Sequence, residues 1–552
     1  MQHFELPHPV KGKKIYFVGI KGSGMSALAE LFHNAGAVVS GSDTSEIFYT
    51  DTILKQLGIK YKEGFDKSNL EYDYDLVVHS SAYNRETNPD LMEAVNRKLP
   101  IMEYTQALGA YSKNIPSCGI TGVHGKTTTT GITGTLLKEM DLPVSVLAGS
   151  AISNFGGKST LALGTEFFIA ETCEYKRHFL SFFPDIIIVT SIEPDHLDYF
   201  KDYDDLLSAF LSYAEKLPKD GILIYCTDDK GANQLGETIK KKRKDIKLVP
   251  YGFTADGAFK IENIKQLDGI TKFRIAGIKK ELSLKIPGVH NVLNSAASIA
   301  ASVYIYSLLA KGAAAREPLL TETRTTEESV YPIEKILEKV SAKITSGLKN
   351  FKGSKRRSEL LGEACGITFM DDYAHHPTAI ETTLSGLKSF FPGKRIIVDF
   401  MSHTYSRTHA LKKEFSTSFK NADIVIINKI YASAREKESD YGNLNRDFFE
   451  KIADNHKKAF YYHEPDDAFD FLKKKLKKGD LFVTMGAGDN WKLGTKLYDF
   501  YKQLHGCSRS IPAQRQGWRE RAPGCKHGCS RSIPAQRHGR CEERRDTGRT
   551  GE

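Results

Sequence analysis

Short, uninterrupted apolar runs alternate along this chain with longer stretches whose apolar residues recur at helical spacing. Residues 14–20 form the first run. A glycine turn at Gly22-Ser23-Gly24, a helical pattern over 25–34 and a second run over 38–42 ending in Asp43 follow it. This strand, turn, helix, strand order, with an acid about twenty positions on, predicts a nucleotide-binding unit. A further run over 75–79 leads into Ser80-Ser81-Ala82, and the domain should close near residue 113. The pattern restarts with a run over 115–120 before the glycine-rich loop, then runs over 166–170 and 185–192 that are continuous and apolar as buried parallel strands are. It restarts once more after residue 351, with runs over 367–370, 395–400, 423–428 and 480–485 between helical segments. The predicted fold is α/β, with three consecutive α/β domains: a Rossmann-like domain over 1–112, a central P-loop ATPase-like domain over 113–347 and a second Rossmann-like domain over 348–504. Segment 311–331, rich in Thr, Glu and Ala, reads as a surface insertion between two helical stretches.

The last stretch breaks the pattern. The sequence from His505 to Arg515, HGCSRSIPAQR, returns unchanged from His527 to Arg537, in an Arg/Gly/Pro/Ser-rich context without apolar periodicity. Such a segment buries too little surface to fold, so 505–552 is expected to be a disordered basic tail. It holds eleven Lys/Arg against five Asp/Glu, and therefore six of the ten net positive charges of the 552-residue chain. The rest is close to neutral, which argues against nucleic acid as a partner. Four of the eight cysteines, Cys507, Cys525, Cys529 and Cys541, lie in the tail at spacings that fit no familiar zinc finger. The other four are scattered, as in a reducing compartment. No run approaches a membrane span, and the first twelve residues lack the apolar core of a signal peptide. No membrane insertion is expected, and the cytoplasm is the expected location.

Candidate chemistry concentrates at the ends of the apolar runs. Gly122-Val123-His124-Gly125-Lys126-Thr127-Thr128 joins small residues, a lysine and hydroxyls at the start of a helical stretch. Backbone N–H groups there can wrap a triphosphate, Lys126 can neutralise its outer phosphates and Thr127 can hold Mg²⁺, so ATP is the expected ligand. Ile120 stands where the usual motif has its first glycine. The later runs end in Glu171-Thr172-Cys173-Glu174 and Glu193-Pro194-Asp195-His196. Strand ends form the ligand crevice of such sheets, which brings Glu174 and His196 near the phosphates as ligands for Mg²⁺ or Mn²⁺. Each has a plainer reading, Glu174 as a surface charge and His196 as a helix cap. Gly19, Gly22 and Gly24 run G-x-x-G-x-G, so the dinucleotide fingerprint is not met, yet a diphosphate at the helix N-terminus is favoured. Asp371-Asp372-Tyr373-Ala374-His375-His376-Pro377 sets two acids and two imidazoles at another strand end, which reads as a site in which one histidine is structural.

These clusters, in this order, resemble the Mur ligases, the ATP-dependent amide-forming enzymes of peptidoglycan synthesis. The P-loop, Glu171 to Glu174, Glu193 to His196, His290-Asn291-Val292-Leu293-Asn294, Lys355-Arg356-Arg357 and Asp371 to Pro377 all match the family's landmarks, and the likeness covers residues 11–503. Gly19 to Met25, Asp371 to Pro377 and His403-Thr404-Tyr405-Ser406-Arg407-Thr408 are most similar to members that join L-alanine to UDP-N-acetylmuramate. Glu174-Tyr175-Lys176-Arg177-His178-Phe179-Leu180 resembles one version of them. Met401-Ser402 stands in place of Gln-Pro and Val123 in place of Thr, while 311–331 and the tail have no family counterpart.

The resemblance implies that the first domain holds UDP-N-acetylmuramate, through Gly19, Gly22, Ser23, Gly24, Met25, Asp43, Ser80 and Ser81. It implies that the central domain holds ATP, with His290, Asn291 and Asn294 facing the adenine, Arg357 in the same site and Asp371 or Asp372 reaching the ribose. Thr127 and Glu174 would hold one metal ion and His196 a second. The third domain would hold L-alanine, with Arg407 clamping a carboxylate or acyl phosphate and His375 and His376 bordering the amine. Three rivals make different demands. A relative that attaches a recycled tripeptide to the same nucleotide shares most of these motifs. A nicotinamide dehydrogenase explains only the stretch from Gly19 to Asp43, and a non-catalytic nucleotide- or RNA-binding protein would use the basic tail.

Overall fold

A computed structural model describes residues 5–509 apart from 47, 49, 195–198, 268, 317–331, 433–435 and 437. The chain divides into two units, Met1–His505 and Gly506–Glu552. His196, the larger part of the expected insertion and the tail beyond 509 lie outside the described residues.

The first sheet has five parallel strands, β1 (Lys14–Val18), β2 (Val38–Asp43), β3 (Lys60–Glu63), β4 (Leu76–His79) and β5 (Ile101–Glu103), in the order β3-β2-β1-β4-β5. Helices α1 (Ser23–Asn34), α2 (Thr50–Gln56), α3 (Pro89–Asn96) and α4 (Tyr104–Ser112) connect and follow these strands. Strand order reverses between β1 and β4, so the loops after them, carrying Gly22 to Gly24 and Ser80-Ser81, open one crevice at the carboxyl edge.

The central sheet has seven strands: β6 (Ser117–Thr121), β7 (Val144–Ile152), β8 (Lys158–Ala162), β9 (Phe167–Glu171), β10 (Ile186–Val189), β11 (Ile222–Cys226) and β12 (Lys247–Tyr251), in the order β12-β11-β10-β6-β9-β7-β8. All pairs are parallel except the edge pair of β7 and β8. Helices α5 (Lys126–Glu139), α6 (Tyr203–Ala214), α7 (Lys230–Lys242), α8 (Val289–Arg316) and α9 (Ile333–Asn350) belong to it. So does an antiparallel three-stranded sheet, β13 (Ile261–Leu267), β14 (Ile270–Ile275) and β15 (Ile278–Leu284).

Two sequence expectations change here. The sequence marks a helix-like stretch over 131–140, but helix α5 begins at Lys126, five residues earlier, because it is buried almost all round and hydroxyls near its start find hydrogen-bond partners. Thr130 Oγ1, for example, donates to the Lys126 carbonyl at 2.9 Å. The expectation that nothing approaches a membrane span also fails, since Val289–Ala310 of α8 is long and apolar enough to cross one. Most of this stretch is buried inside the protein instead, and Ser298 Oγ donates to the Thr129 carbonyl of α5 at 3.0 Å. Helix α8 continues to Arg316, so the expected insertion starts as helix.

The third sheet has six strands: β16 (Glu359–Ala364), β17 (Ile367–Asp372), β18 (Arg395–Met401), β19 (Ile424–Ile427), β20 (Ala459–Tyr461) and β21 (Asp480–Gly486), in the order β16-β17-β21-β18-β19-β20. Only β16 runs antiparallel. Helices α10 (Pro377–Phe390), α11 (Tyr405–Ala410), α12 (Lys412–Ser418), α13 (Leu444–Ala453), α14 (Phe469–Lys475) and α15 (Trp491–Arg509) surround it. Helix α15 carries the chain past 504, so the repeat segment expected to be disordered begins as helix. One apolar core joins the first and central sheets, whereas the two faces of the third sheet have cores of their own.

Candidate functional site

The loop between β6 and α5 turns on two glycines with left-sided backbone, Gly122 at φ 133° and Gly125 at φ 84°. A Cβ on Gly125 would lie 2.5 Å from Asn294 Oδ1, and one on Gly122 would lie 2.1 Å from Thr190 Oγ1, so neither position admits a side chain. Gly125 is the N-cap of α5 and supplies no side-chain hydrogen bond, which leaves the first N–H groups of the helix open to an anion. Lys126 Nζ lies 3.1 Å from both Glu174 carboxylate oxygens and also donates to the Gly122 carbonyl. Burial works against the charge of Lys126, but Glu174, with Cys173 and Glu171, outweighs it, and its pKa ends above the ordinary lysine value. Thr127 Oγ1 donates to Glu171 Oε2 at 2.9 Å, and the Gly149 N–H donates to the same oxygen at 2.7 Å.

Two clefts meet at Glu171. The first, of about 390 Å³, lies between the first and central domains. Gly22, Ser23, Gly24 and Met25 at the start of α1 line it, with Ser80 and Ser81 beyond β4, Glu103 and Tyr104 at the start of α4, and Glu171, Cys173, His178 and Phe179 opposite. The second, of about 350 Å³, lies between the central and third domains. Val123 to Thr128, Glu171, His290, Asn291 and Asn294 form one wall, and Arg357, Asp372, Thr378 and Thr382 the other.

A polar chain stiffens the central wall. Thr129 Oγ1 donates to Asn294 Oδ1 at 3.3 Å, Asn294 Nδ2 to Asn291 Oδ1 at 3.1 Å and Asn291 Nδ2 to the Pro287 carbonyl at 2.6 Å. Burial holds the His290 imidazole below its ordinary pKa, while Asp372 across the cleft pulls the other way. On the third-domain wall, Asp372 accepts from the N–H groups of Ser358 at 2.6 Å and Ala374 at 2.8 Å. Its neighbour Asp371 points elsewhere, to Arg356 Nε at 3.0 Å and Thr484 Oγ1 at 2.7 Å. Burial pushes the Asp371 pKa up to about 6 against the pull of Arg356. The Arg356 and Arg357 guanidinium groups lie 5.2 and 5.1 Å from the Tyr373 ring centre.

Other sequence candidates are placed apart from the cleft linings. His375 stands with His403, ring centres 5.8 Å apart, and His403 with Tyr431 at 6.1 Å. Burial, together with the nearby charges of Arg407, His403 and Arg357, drives His375 down to about 3, so this imidazole is neutral near pH 7. His376 is the N-cap residue of α10, and Pro377 fills its first turn. Asp43 is occupied within its own domain, accepting from the Lys21 N–H at 2.6 Å and Tyr83 Oη at 3.3 Å. Gly19, at φ 84°, lies under the Tyr83 ring. Glu171 and His178 line a cleft without being singled out by the sequence, where neither carries a signal beyond its place at a strand end or in a turn.

As a test for a divalent cation, Thr127, Glu171 and Glu174 supply the hard oxygen donors that Mg²⁺ or Mn²⁺ prefers. No cluster of three or more His, Cys, Asp or Glu side chains able to hold a metal exists among the described residues. Any ion here would therefore draw further ligands from a bound nucleotide.

Comparison with known proteins places this geometry in context. Three consecutive stretches match Mur ligase domains: the family's catalytic domain over 14–115, its middle domain over 120–302 and its glutamate ligase domain over 356–488. The chain is 46% identical over 504 residues to the UDP-N-acetylmuramate--L-alanine ligase of Treponema pallidum (strain Nichols), covering 91% of this chain and 100% of that one. It is 39% identical over 483 residues to the ligase of the same name from Borreliella burgdorferi, covering 87% and 97%. Among solved structures it is similar to the UDP-N-acetylmuramate-alanine ligase of Thermotoga maritima, with a TM-score of 0.69 at 24% identity over 89% of this chain and 100% of that one. A murein peptide ligase from Psychrobacter arcticus gives a TM-score of 0.56 at 23% identity over 89% and 99%. At these identities the two structural likenesses speak to the fold alone.

Proposed function

Because the chain belongs to the Mur ligase family, we propose that it is an ATP-dependent ligase joining L-alanine to the carboxylate of UDP-N-acetylmuramate in peptidoglycan precursor synthesis, working in the cytoplasm. The observation that carries the chemistry is the meeting of two clefts at Glu171, one opening on a helix N-terminus and the other on a P-loop. The choice of L-alanine rests on near-full-length similarity to relatives bearing that name.

The three domains divide the work. The sugar nucleotide lies in the first cleft with its diphosphate at the start of α1, and ATP lies in the second with its phosphates on the P-loop. A carboxylate is a poor electrophile because its oxide leaves badly. Its oxygen attacks the γ-phosphorus, the bond to the ADP oxygen breaks, and an acyl phosphate forms. The neutral amine of L-alanine then attacks the acyl carbon, inorganic phosphate departs, and the amine proton is released. Lys126 balances phosphate charge in both steps through electrostatics and positioning. Thr127 and Glu174 would hold Mg²⁺, with Mn²⁺ as a substitute and His196 at a second ion, and the ion would supply further charge neutralisation.

His290, Asn291 and Asn294 take the nucleoside from the central wall, and Arg357 and Asp372 take it from the facing one. The amino acid belongs with Arg407, His375 and His376. With its pKa near 3, His375 is too weak a base to take the amine proton and acts as a neutral hydrogen-bonding neighbour. The two walls of the second cleft must close to keep water from the acyl phosphate.

An ADP-release assay with UDP-N-acetylmuramate and a panel of acceptors tests this reading. L-Alanine should give the highest kcat/KM. Glycine should follow within about 10- to 200-fold, since one methyl group is worth only about 1–3 kcal/mol in a pocket. A tripeptide that outperforms L-alanine would make the protein a recycling ligase and defeat the assignment.

A further inference from the structure

Among the described residues that line the first cleft, one side chain is basic, His178, against two carboxylates, Glu103 and Glu171. That balance is unexpected for a cleft that takes an anionic sugar acid. The start of α1 serves the diphosphate, because its N-cap residue Gly22 offers no side-chain cap and leaves the helix N–H groups open. For the sugar-borne carboxylate, which must come close to Glu171, His178 is the basic side chain that the described lining offers at that end of the cleft.

The turn that presents His178 is built at a cost. Lys176 (φ 51°, ψ 23°) and Arg177 (φ 59°, ψ 26°) are successive non-glycine residues in the left-handed region. Surrounding contacts hold them there. The Arg177 N–H donates to the Glu174 carbonyl at 2.9 Å, and the Phe179 N–H to the Cys173 carbonyl at 2.9 Å. The Arg177 guanidinium donates to Asp205 Oδ1 and lies 5.7 Å from the Phe200 ring centre. Phe179 is thereby driven into the core against Phe210 and Tyr213, while the adjacent His178 faces the cleft. The His178 ring contacts Tyr175 edge-on and makes no hydrogen bond with any described residue. Burial lowers its pKa, and Glu103 opposes that shift.

We infer that His178 is the residue that recognises the carboxylate-bearing sugar, donating a hydrogen bond to that carboxylate and offsetting its repulsion from Glu103 and Glu171. The inference rests on the sugar-nucleotide reading of the first cleft and adds to it the group that separates this substrate from the same nucleotide sugar without an acid.

The test measures binding of UDP-N-acetylmuramate and of UDP-N-acetylglucosamine, which lacks the lactyl acid, to the full chain and to His178→Ala, with no ATP present. His178→Ala should weaken UDP-N-acetylmuramate binding about 10- to 100-fold, the size of a charge-assisted hydrogen bond, and leave UDP-N-acetylglucosamine within about twofold. In turnover, KM for the sugar acid should rise while the KM values for ATP and L-alanine stay put. His178→Gln, which keeps a donor, should recover part of the loss. Equal losses for both nucleotides, or none for either, overturn the inference. If instead the unmodified protein neither binds UDP-N-acetylmuramate nor shows L-alanine-dependent ADP release, the proposed function fails first, so the two failures are told apart.

Discussion

Between the first and central domains, α1 packs directly on β7 and β8, and a single apolar core runs from Leu6 to Phe351. Glu30 of α1 is 5% exposed at this seam and is held by Lys158 Nζ at 2.8 Å and by Thr160. Between the central and third domains, the connection is a chain segment in which Gly353 (φ 90°), Arg356 (φ 58°) and Ser358 (φ 48°) all adopt left-handed backbone. Polar bonds carry that segment, such as the Lys355 N–H to the Ala151 carbonyl at 2.8 Å, and the cores on either side are separate. The difference assigns the motion. A buried ion pair inside a continuous core resists shear, whereas a linker with small polar contacts lets one wall of the nucleotide cleft move against the other. The first cleft is therefore expected to be preformed, and any closure to fall on the second.

The largest expected effect separates chemistry from this architecture. Lys126→Ala should lower ligation by about 10²-fold or more while sugar-nucleotide affinity stays near normal, because the lysine serves the second cleft alone. Steady-state ADP release and direct binding together check it, and near-normal turnover would remove the P-loop from the mechanism.

Breaking the fixed seam comes next. Lys158→Ala leaves Glu30 buried beside Thr160 and should destabilise the joined first and central domains by about 1–3 kcal/mol. Trp491 lies in the third domain, and the chain's other tryptophan, Trp518, lies in the tail. In a protein ending at Arg509, tryptophan fluorescence therefore reports the third domain, and far-ultraviolet circular dichroism reports the whole. Urea unfolding by the two probes should diverge in the variant. Coincident shifts would show that the seams are energetically alike.

The third domain has its own signature in pH. Asp399 is buried in β18 between Asn428 and Asn490, and burial pushes its pKa from 3.8 to about 7. A carboxyl raised in the folded state adds stability below about pH 4 that is lost as pH climbs to about 7, because the unfolded chain gives up the proton first. Asp399→Asn should remove this fall, at most about 1.4 kcal/mol per pH unit, from the tryptophan-detected transition. An unchanged slope would place the pH dependence elsewhere. The smallest effect is expected from ending the chain after Arg509, which should change turnover and stability by less than about 0.5 kcal/mol, read by the same assays.

Much of this site was legible in the sequence because its parts fall at the ends of apolar runs. The P-loop, Glu174 beyond β9 and the aspartates of β17 could be marked without coordinates. Which of two adjacent aspartates faces the cleft could not. Both are buried in a strand covered on both faces, so no polar alternation marks the outward one, and only pairing with β21, Asp371 beside Thr484 and Asp372 beside Met485, separates them. Glu171 was hidden for a similar reason: its role comes from contact with Thr127, 44 residues away in sequence. Helix α5 misled because burial all round erases the periodicity that locates helix ends.

What the sequence determined by itself was local or serial: the three-domain α/β order, the phosphate loop, and the motifs that mark the family. These are encoded in neighbouring residues, through backbone preference and hydrophobic period. Only the tertiary structure decided that two clefts share Glu171, that Lys126 pairs with Glu174, that a strained turn aims His178 into the first cleft, and that one domain seam is a continuous core while the other is not. Each of these depends on side chains brought together by the packing of separate strands, and strand packing is set by burial across the whole core rather than by any local run of residues.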